Sequence, residues 1–274
     1  MNKTLLTEYE KLQIKKIEAW KRQEPSVASK VLKFLMSPLN SIVKSIIPDK
    51  IIMGALSFSN TIAEWLTDKE KTIKRAEIKN ISDLKSGDLQ KSDLLADRVH
   101  NWAMGEAGLE GGVTGAMGYV GMAIDIPWLI TLSLRTINQI GLCYGFEVNN
   151  QNDRDFLLSV LMASSSSSME EKVEALLTLK QVEKIIANQT WKAISAQAHK
   201  NMISKETGLV ALKKLANIIG INLSKRKALQ AIPIIGSAIG LSINVKFLKD
   251  VGWAARYLFQ ERWLLENNKI NDLI

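Results

Sequence analysis

The sequence predicts an all-α fold, a single multi-helix domain with two central glycine-rich apolar helical segments. Three observations predict it. Helical periodicity recurs along nearly the whole chain, whereas strand-type alternation is hard to find and neither Asn-Gly nor Asp-Gly turns occur. Hydrophobic residues make up 46% and charged residues 23%. These values match globular averages of about 45–50% and about 25%, which argues against a disordered chain and against a multi-span membrane protein. A length of 274 residues is enough to bury a full core.

Taken in order, the first 66 residues read as basic amphipathic helices. Leu6, Tyr9, Ile17 and Trp20 recur at helical spacing among Lys11, Lys15, Lys16, Lys21 and Arg22, and Pro25 stops the helix. A second stretch, 27–47, carries Lys30, Lys33 and Lys44, with a kink expected at Pro38, and a third, 51–66, is uncharged until Glu64. Residues 67–96 are polar and read as a connector, with room for one short helix. The core is expected over 97–265, as part of the same domain. There a long apolar tract runs from Ala103 to Gly145, and 149–155 reads as a polar loop. The serine run 164–168 ends in a helix cap, Ser168, with Glu170 and Glu171 placed well in the first turn of a helix beginning near Met169. Another helix is expected over 208–221, followed by the basic turn Lys225, Arg226, Lys227. A last amphipathic helix carries Val251, Ala254, Leu258, Trp263 and Leu264.

Charge is uneven along the chain. Residues 1–50 hold 10 Lys+Arg against 5 acids, and 200–274 hold 12 against 5, around a mildly acidic middle. Basic ends suit anionic headgroups or an acidic partner surface. No nucleic acid is expected as partner, since no recognition motif accompanies the charge. Cys143 is the only cysteine, which excludes an internal disulfide and favours a reducing compartment. The N-terminus lacks the apolar core of a signal peptide, so cytoplasmic residence is expected.

Two charge-poor tracts carry the most information. On one continuous helix Gly108, Gly111, Gly115 and Gly118 would share an arc of about 80°. Gly236 and Gly240 repeat the four-residue spacing in a second tract, 229–245. A helix interior disfavours glycine by about 1 kcal/mol, so close approach of another backbone is the expected reason, and the two glycine faces are expected to pack on each other. Neither tract reaches the ~20 apolar residues of a membrane crossing without interruption, which leaves a buried hairpin, conditional insertion or a lipid cavity. Asp125 reads as the cap of a helix starting at Ile126-Pro127.

No catalytic constellation appears. Two histidines and one cysteine make no His/Cys zinc site, and Walker and nucleophile-elbow motifs are absent, so neither metal nor cofactor is expected. If the chain is an enzyme, Glu106, Glu110 and Asp125, with His100 and Asp97 upstream, are the candidates for acid/base or metal chemistry. Cys143 reads as a small buried hydrophobe. Arg135, in an apolar helix, needs a partner: Asp125, Glu110 or a headgroup phosphate. Lys225, Arg226 and Lys227 join it as candidate binding residues.

The stretch Glu106-Ala107-Gly108-Leu109-Glu110-Gly111-Gly112-Val113-Thr114-Gly115, followed by Gly118, Gly121, Asp125-Ile126-Pro127, Leu134-Arg135 and Cys143-Tyr144-Gly145, resembles the EcsC protein family. So does the run from Ile232 to Gly240, with Asn244, Phe247, Gly252, Ala254 and Arg256. The family is named for a protein encoded beside an ABC transporter, which implies an accessory role at the cytoplasmic membrane and supplies no catalytic residues. The expectation is therefore a non-enzymatic accessory protein on the inner face of the cytoplasmic membrane, bound to its anionic surface or to a membrane-protein partner such as a transporter subunit. The alternatives are a carboxylate-based hydrolase or metal-dependent enzyme, and a lipid-binding helical module.

Overall fold

The computed structural model describes residues 5–25, 62–114, 118–166, 168–194 and 236–271, with the backbone alone over 62–67, 107–114, 118–127, 151, 182–194 and 236–243. Among the described residues there are seven α-helices, one short 3-10 helix and no strand: α1 (Glu8–Arg22), α2 (Ile62–Ala76), the 3-10 turn (Ile81–Leu84), α3 (Leu89–Thr114), α4 (Gly118–Cys143), α5 (Gln151–Ser165), α6 (Met169–Ile194) and α7 (Gly236–Glu266). The fold is all-α, as the periodicity predicts.

Local signals explain most boundaries. Thr7 caps α1 in a reciprocal box: its hydroxyl accepts from the Glu10 amide at 3.1 Å, and the Glu10 carboxylate accepts from the Thr7 amide at 2.7 Å. α1 ends at Arg22, before Pro25. Ser168 accepts from the Glu171 amide at 3.3 Å, and α6 begins at Met169 as expected. α4 closes in a Schellman turn, with the Phe146 amide bonded to the Gly141 carbonyl at 2.9 Å and that of Gly145 to Leu142 at 3.0 Å. Gly145 takes φ +88, a backbone region that favours glycine.

α7, about 46 Å long at 1.5 Å per residue, is the central post. It packs on α3, α4, α5 and α1, and its contact with α3 is the most extensive in the molecule as described. Val251, Ala254, Leu258, Trp263 and Leu264 are all buried. Phe259 anchors the core, its ring stacked near Tyr144 and Phe146 and tilted against Phe156. A Cβ at Gly141 would lie 2.7 Å from that ring. The missing side chain is what admits Phe259, whose full burial contributes about 1.5–3 kcal/mol.

Four expectations are corrected. Asp125 caps no helix, because α4 runs unbroken from Gly118 through Asp125 and Pro127. Pro127 removes one backbone bond, yet Leu129, Ile130 and Leu132 are buried just beyond it, and tertiary burial outweighs local propensity. Gly118 does not share a helix with Gly108 and Gly111, since α3 ends at Thr114 and α4, packed against α3, begins at Gly118. The expected loop at 149–155 is the capped start of α5: Asn150 accepts from the Asp153 amide at 3.1 Å and Asp153 accepts in return. Residues 67–96 hold most of α2, the 3-10 turn and the start of α3, because Leu84, Leu89 and Ala96 bury in the common core.

Gly115, Lys225, Arg226, Lys227, the stretches 27–47 and 51–61, and the helix expected over 208–221 lie outside the described residues. For Gly108, Gly111, Gly236 and Gly240 the helical backbone alone is described.

Candidate functional site

Three residues of α3 spaced about one turn apart, Asp93, Asp97 and His100, face three of α7 at the same spacing, Gln260, Arg256 and Gly252. The order is antiparallel. Gln260 donates to the Asp93 carboxylate at 2.6 Å, Arg256 is ion-paired with Asp97, and the His100 ring lies against Gly252. Asp93 is 2% exposed and also accepts from the hydroxyls of Tyr9 and Tyr144. One buried carboxylate thereby joins α1, α3, the end of α4 and α7. Desolvation and the neighbouring Asp93 carboxylate raise the pKa of both tyrosines, so both remain protonated donors. Burial, then the Arg256 charge, lowers His100 to about 4, which keeps the imidazole neutral. It bonds the Lys249 backbone, and its Nε2 has no partner among the described residues.

From this buried seam a column of rings leads outward. Arg256 lies 4.5 Å from the Trp253 centroid, Trp253 stacks on Tyr257 at 5.4 Å, and Tyr257 meets Trp20 of α1 at 5.6 Å. The Lys172 ammonium sits 4.4 Å above Trp20. Trp253 and Tyr257 are four apart, so they share one face of α7. Lys172 also donates to the carbonyls of Trp20 and of Gln23, the latter at 2.8 Å, and so caps the C-terminal end of α1. Desolvation lowers its pKa to about 8, against the pull of Asp250.

The outer end of the column opens on a cleft of about 310 Å³ between the end of α1, the α5–α6 junction and α7. Lys249 and Asp250 line it with Lys172, as do Gln23, Glu24, Ser164 and Ser166. None of these was singled out from sequence for binding. The available signal was the recurrence of tryptophan and tyrosine at Trp20, Trp253 and Tyr257.

The sequence-derived candidates are placed differently. Arg135 makes a two-pronged pair with Asp68, 2.8 Å and 3.0 Å, and lies 5.5 Å from the Trp102 ring. The Asp68 side chain, on α2, is 1% exposed, so the pair is buried on its acidic side. Glu106 is partly exposed on α3, while the side chains of Glu110 and Asp125 fall outside the described residues. Among the described residues no group of His, Cys, Asp or Glu is arranged to hold a metal. Cys143 is buried and donates to the Gln139 carbonyl at 3.2 Å, and burial pushes its thiol up to about 12, which makes it an inert packing group.

Fold and site define an all-α protein organised on a central helix, with a polar seam inside it and an aromatic cleft beside it. No described helix is long and apolar enough to cross a membrane. The chain belongs to the EcsC protein family, whose model matches residues 11–264. It is 24% identical to "Uncharacterized protein YdbA" of Bacillus subtilis (strain 168) over 273 residues, 94% of this chain and 93% of the relative. It is 26% identical to "Protein EcsC" of the same organism over 160 residues, 58% of each chain. No solved structure matches it.

Proposed function

We propose that the protein is a non-enzymatic accessory factor that works peripherally on the inner face of the cytoplasmic membrane, docking through the outer face of α1 on anionic phospholipid. The observation that carries this reading is the composition of that face. Lys11, Lys15, Lys16 and Arg22 are exposed on one side of α1, with Leu12 at 49% and Leu5, just ahead of the helix, at 91% exposure. Of its acids, Glu8 is paired with Lys11 at 2.7 Å and Glu18 is partly exposed on the same side, so the cations there outnumber the acids four to two.

Each cation near an anionic leaflet contributes about 1 kcal/mol. Two leucines add a shallow apolar contact and no more. Attachment of this kind is reversible and salt-sensitive, unlike insertion. Opposite the cations, Ile17, Glu10 and Gln13 are buried against the body, so the helix presents its charge outward without unfolding. The accessory role beside a transporter that the family resemblance implies is compatible with such docking. Co-sedimentation with phosphatidylglycerol vesicles, compared with phosphatidylcholine vesicles, tests the proposal.

A further inference from the structure

Docking through the outer face of α1 leaves the neighbouring cleft unused. At its floor Ser164 and Ser166 donate their hydroxyl protons to the Leu161 and Met162 carbonyls, at 2.8 Å and 2.9 Å, and keep lone pairs free to accept. The acids Glu24 and Asp250 are both engaged with other groups. The lysines are less committed. Lys172 uses two of its three N–H groups on carbonyls of α1, and Lys249 is exposed with no salt bridge among the described residues. A cationic ligand would meet aromatic rings already carrying the protein's own charges, Lys172 over Trp20 and Arg256 over Trp253.

The exposed Lys249 ammonium and the remaining N–H of Lys172, beside an aromatic wall, select an anion with an organic body. A lysine offers a point charge and not the planar fork that grips a carboxylate in two-pronged fashion, so a phosphate suits the pair better. The cleft's 310 Å³ lies at the small end of ligand sites, which run from about 300 Å³ upward.

We infer that this cleft binds a small phosphate ester, with the phosphate between Lys172 and Lys249 and the organic part against Trp253 and Tyr257. The ester is either free in solution or the headgroup of an anionic phospholipid. The inference does not rest on docking through α1, since it uses none of the outward lysines of that helix.

Calorimetric titration of the intact protein with sn-glycerol 3-phosphate, and in parallel with phosphatidylglycerol vesicles, tests it. Lys249→Gln removes the exposed cation while leaving the anchors of α1 in place, and matching circular dichroism confirms that the variant is folded. Saturable binding of the free ester, weakened about tenfold or more by Lys249→Gln, supports a soluble ligand; the loss of one charge-assisted bond accounts for that factor. No binding of the free ester, with a tenfold loss of vesicle affinity in the variant, supports the headgroup. If Lys249→Gln leaves both affinities unchanged, or neither probe binds, the inference is overturned. Lys15→Glu/Lys16→Glu separates the two readings, because it lowers vesicle binding through α1 and leaves the free ester untouched.

Discussion

The imidazole of His100 rests directly on Gly252. A Cβ at 252 would overlap three ring atoms, with Cγ only 2.6 Å away. The ring is buried, and Trp253 meets it edge-on at 5.7 Å, so it has little room to move aside. Gly252→Ala is therefore expected to destabilise the fold by about 1–3 kcal/mol, the usual range for overpacking. Urea unfolding measures this, and a variant as stable as the parent would show that α3 and α7 do not approach as closely as described.

Asp93 takes three donors inside the protein, so its removal and the removal of one donor should differ. Tyr144→Phe takes away one hydrogen bond, at about 1–2 kcal/mol. Asp93→Ala leaves Tyr9, Tyr144 and Gln260 facing an empty position and is expected to cost about 3–5 kcal/mol. Chemical denaturation of the two variants gives the order; equal losses would mean that Asp93 is not the common acceptor.

Arg135 separates a structural role from a binding one. Its truncation to alanine leaves the buried Asp68 carboxylate without its paired charge, for an expected loss of about 3–5 kcal/mol. A residue reserved for headgroup phosphate would instead lose vesicle affinity at unchanged stability. Measuring both quantities on Arg135→Ala decides between them.

His100 gives the fold a pH dependence. In the folded protein burial, with the Arg256 charge second, holds its pKa at about 4, below the 6.5 of the unfolded chain. Between those values the unfolded chain binds the extra proton. Stability present above pH 6.5 is thus lost as pH falls towards 4, by about 3 kcal/mol in all. His100→Gln should flatten that part of the curve of unfolding free energy against pH. The same slope in variant and parent would contradict the assignment.

Much of the fold was legible because it is written in periodic or local signals. Pro25, Ser168 and the apolar repeat from Val251 to Leu264 act over a turn or two, and the helices they imply are present. The box formed by Asn150 and Asp153 is equally local, but its polar letters resemble a loop. The seam and cleft were not legible for a different reason. A buried Asp93 or Asp68 is the same letter as a solvated one, and only partners 84 residues away, Tyr9, or 67 away, Arg135, distinguish them. Close approach at glycine is described at Gly141, Gly145 and Gly252, whereas the surroundings of Gly108, Gly111, Gly236 and Gly240 lie outside the described residues.

Vesicle flotation across a salt series tests the central claim most directly. The account predicts binding to phosphatidylglycerol vesicles and little to phosphatidylcholine vesicles. It also predicts that binding falls steeply between about 50 and about 500 mM salt as screening shortens and is largely abolished by Lys15→Glu/Lys16→Glu. Equal binding to both vesicle types, or binding that the variant and salt leave unchanged, would contradict it.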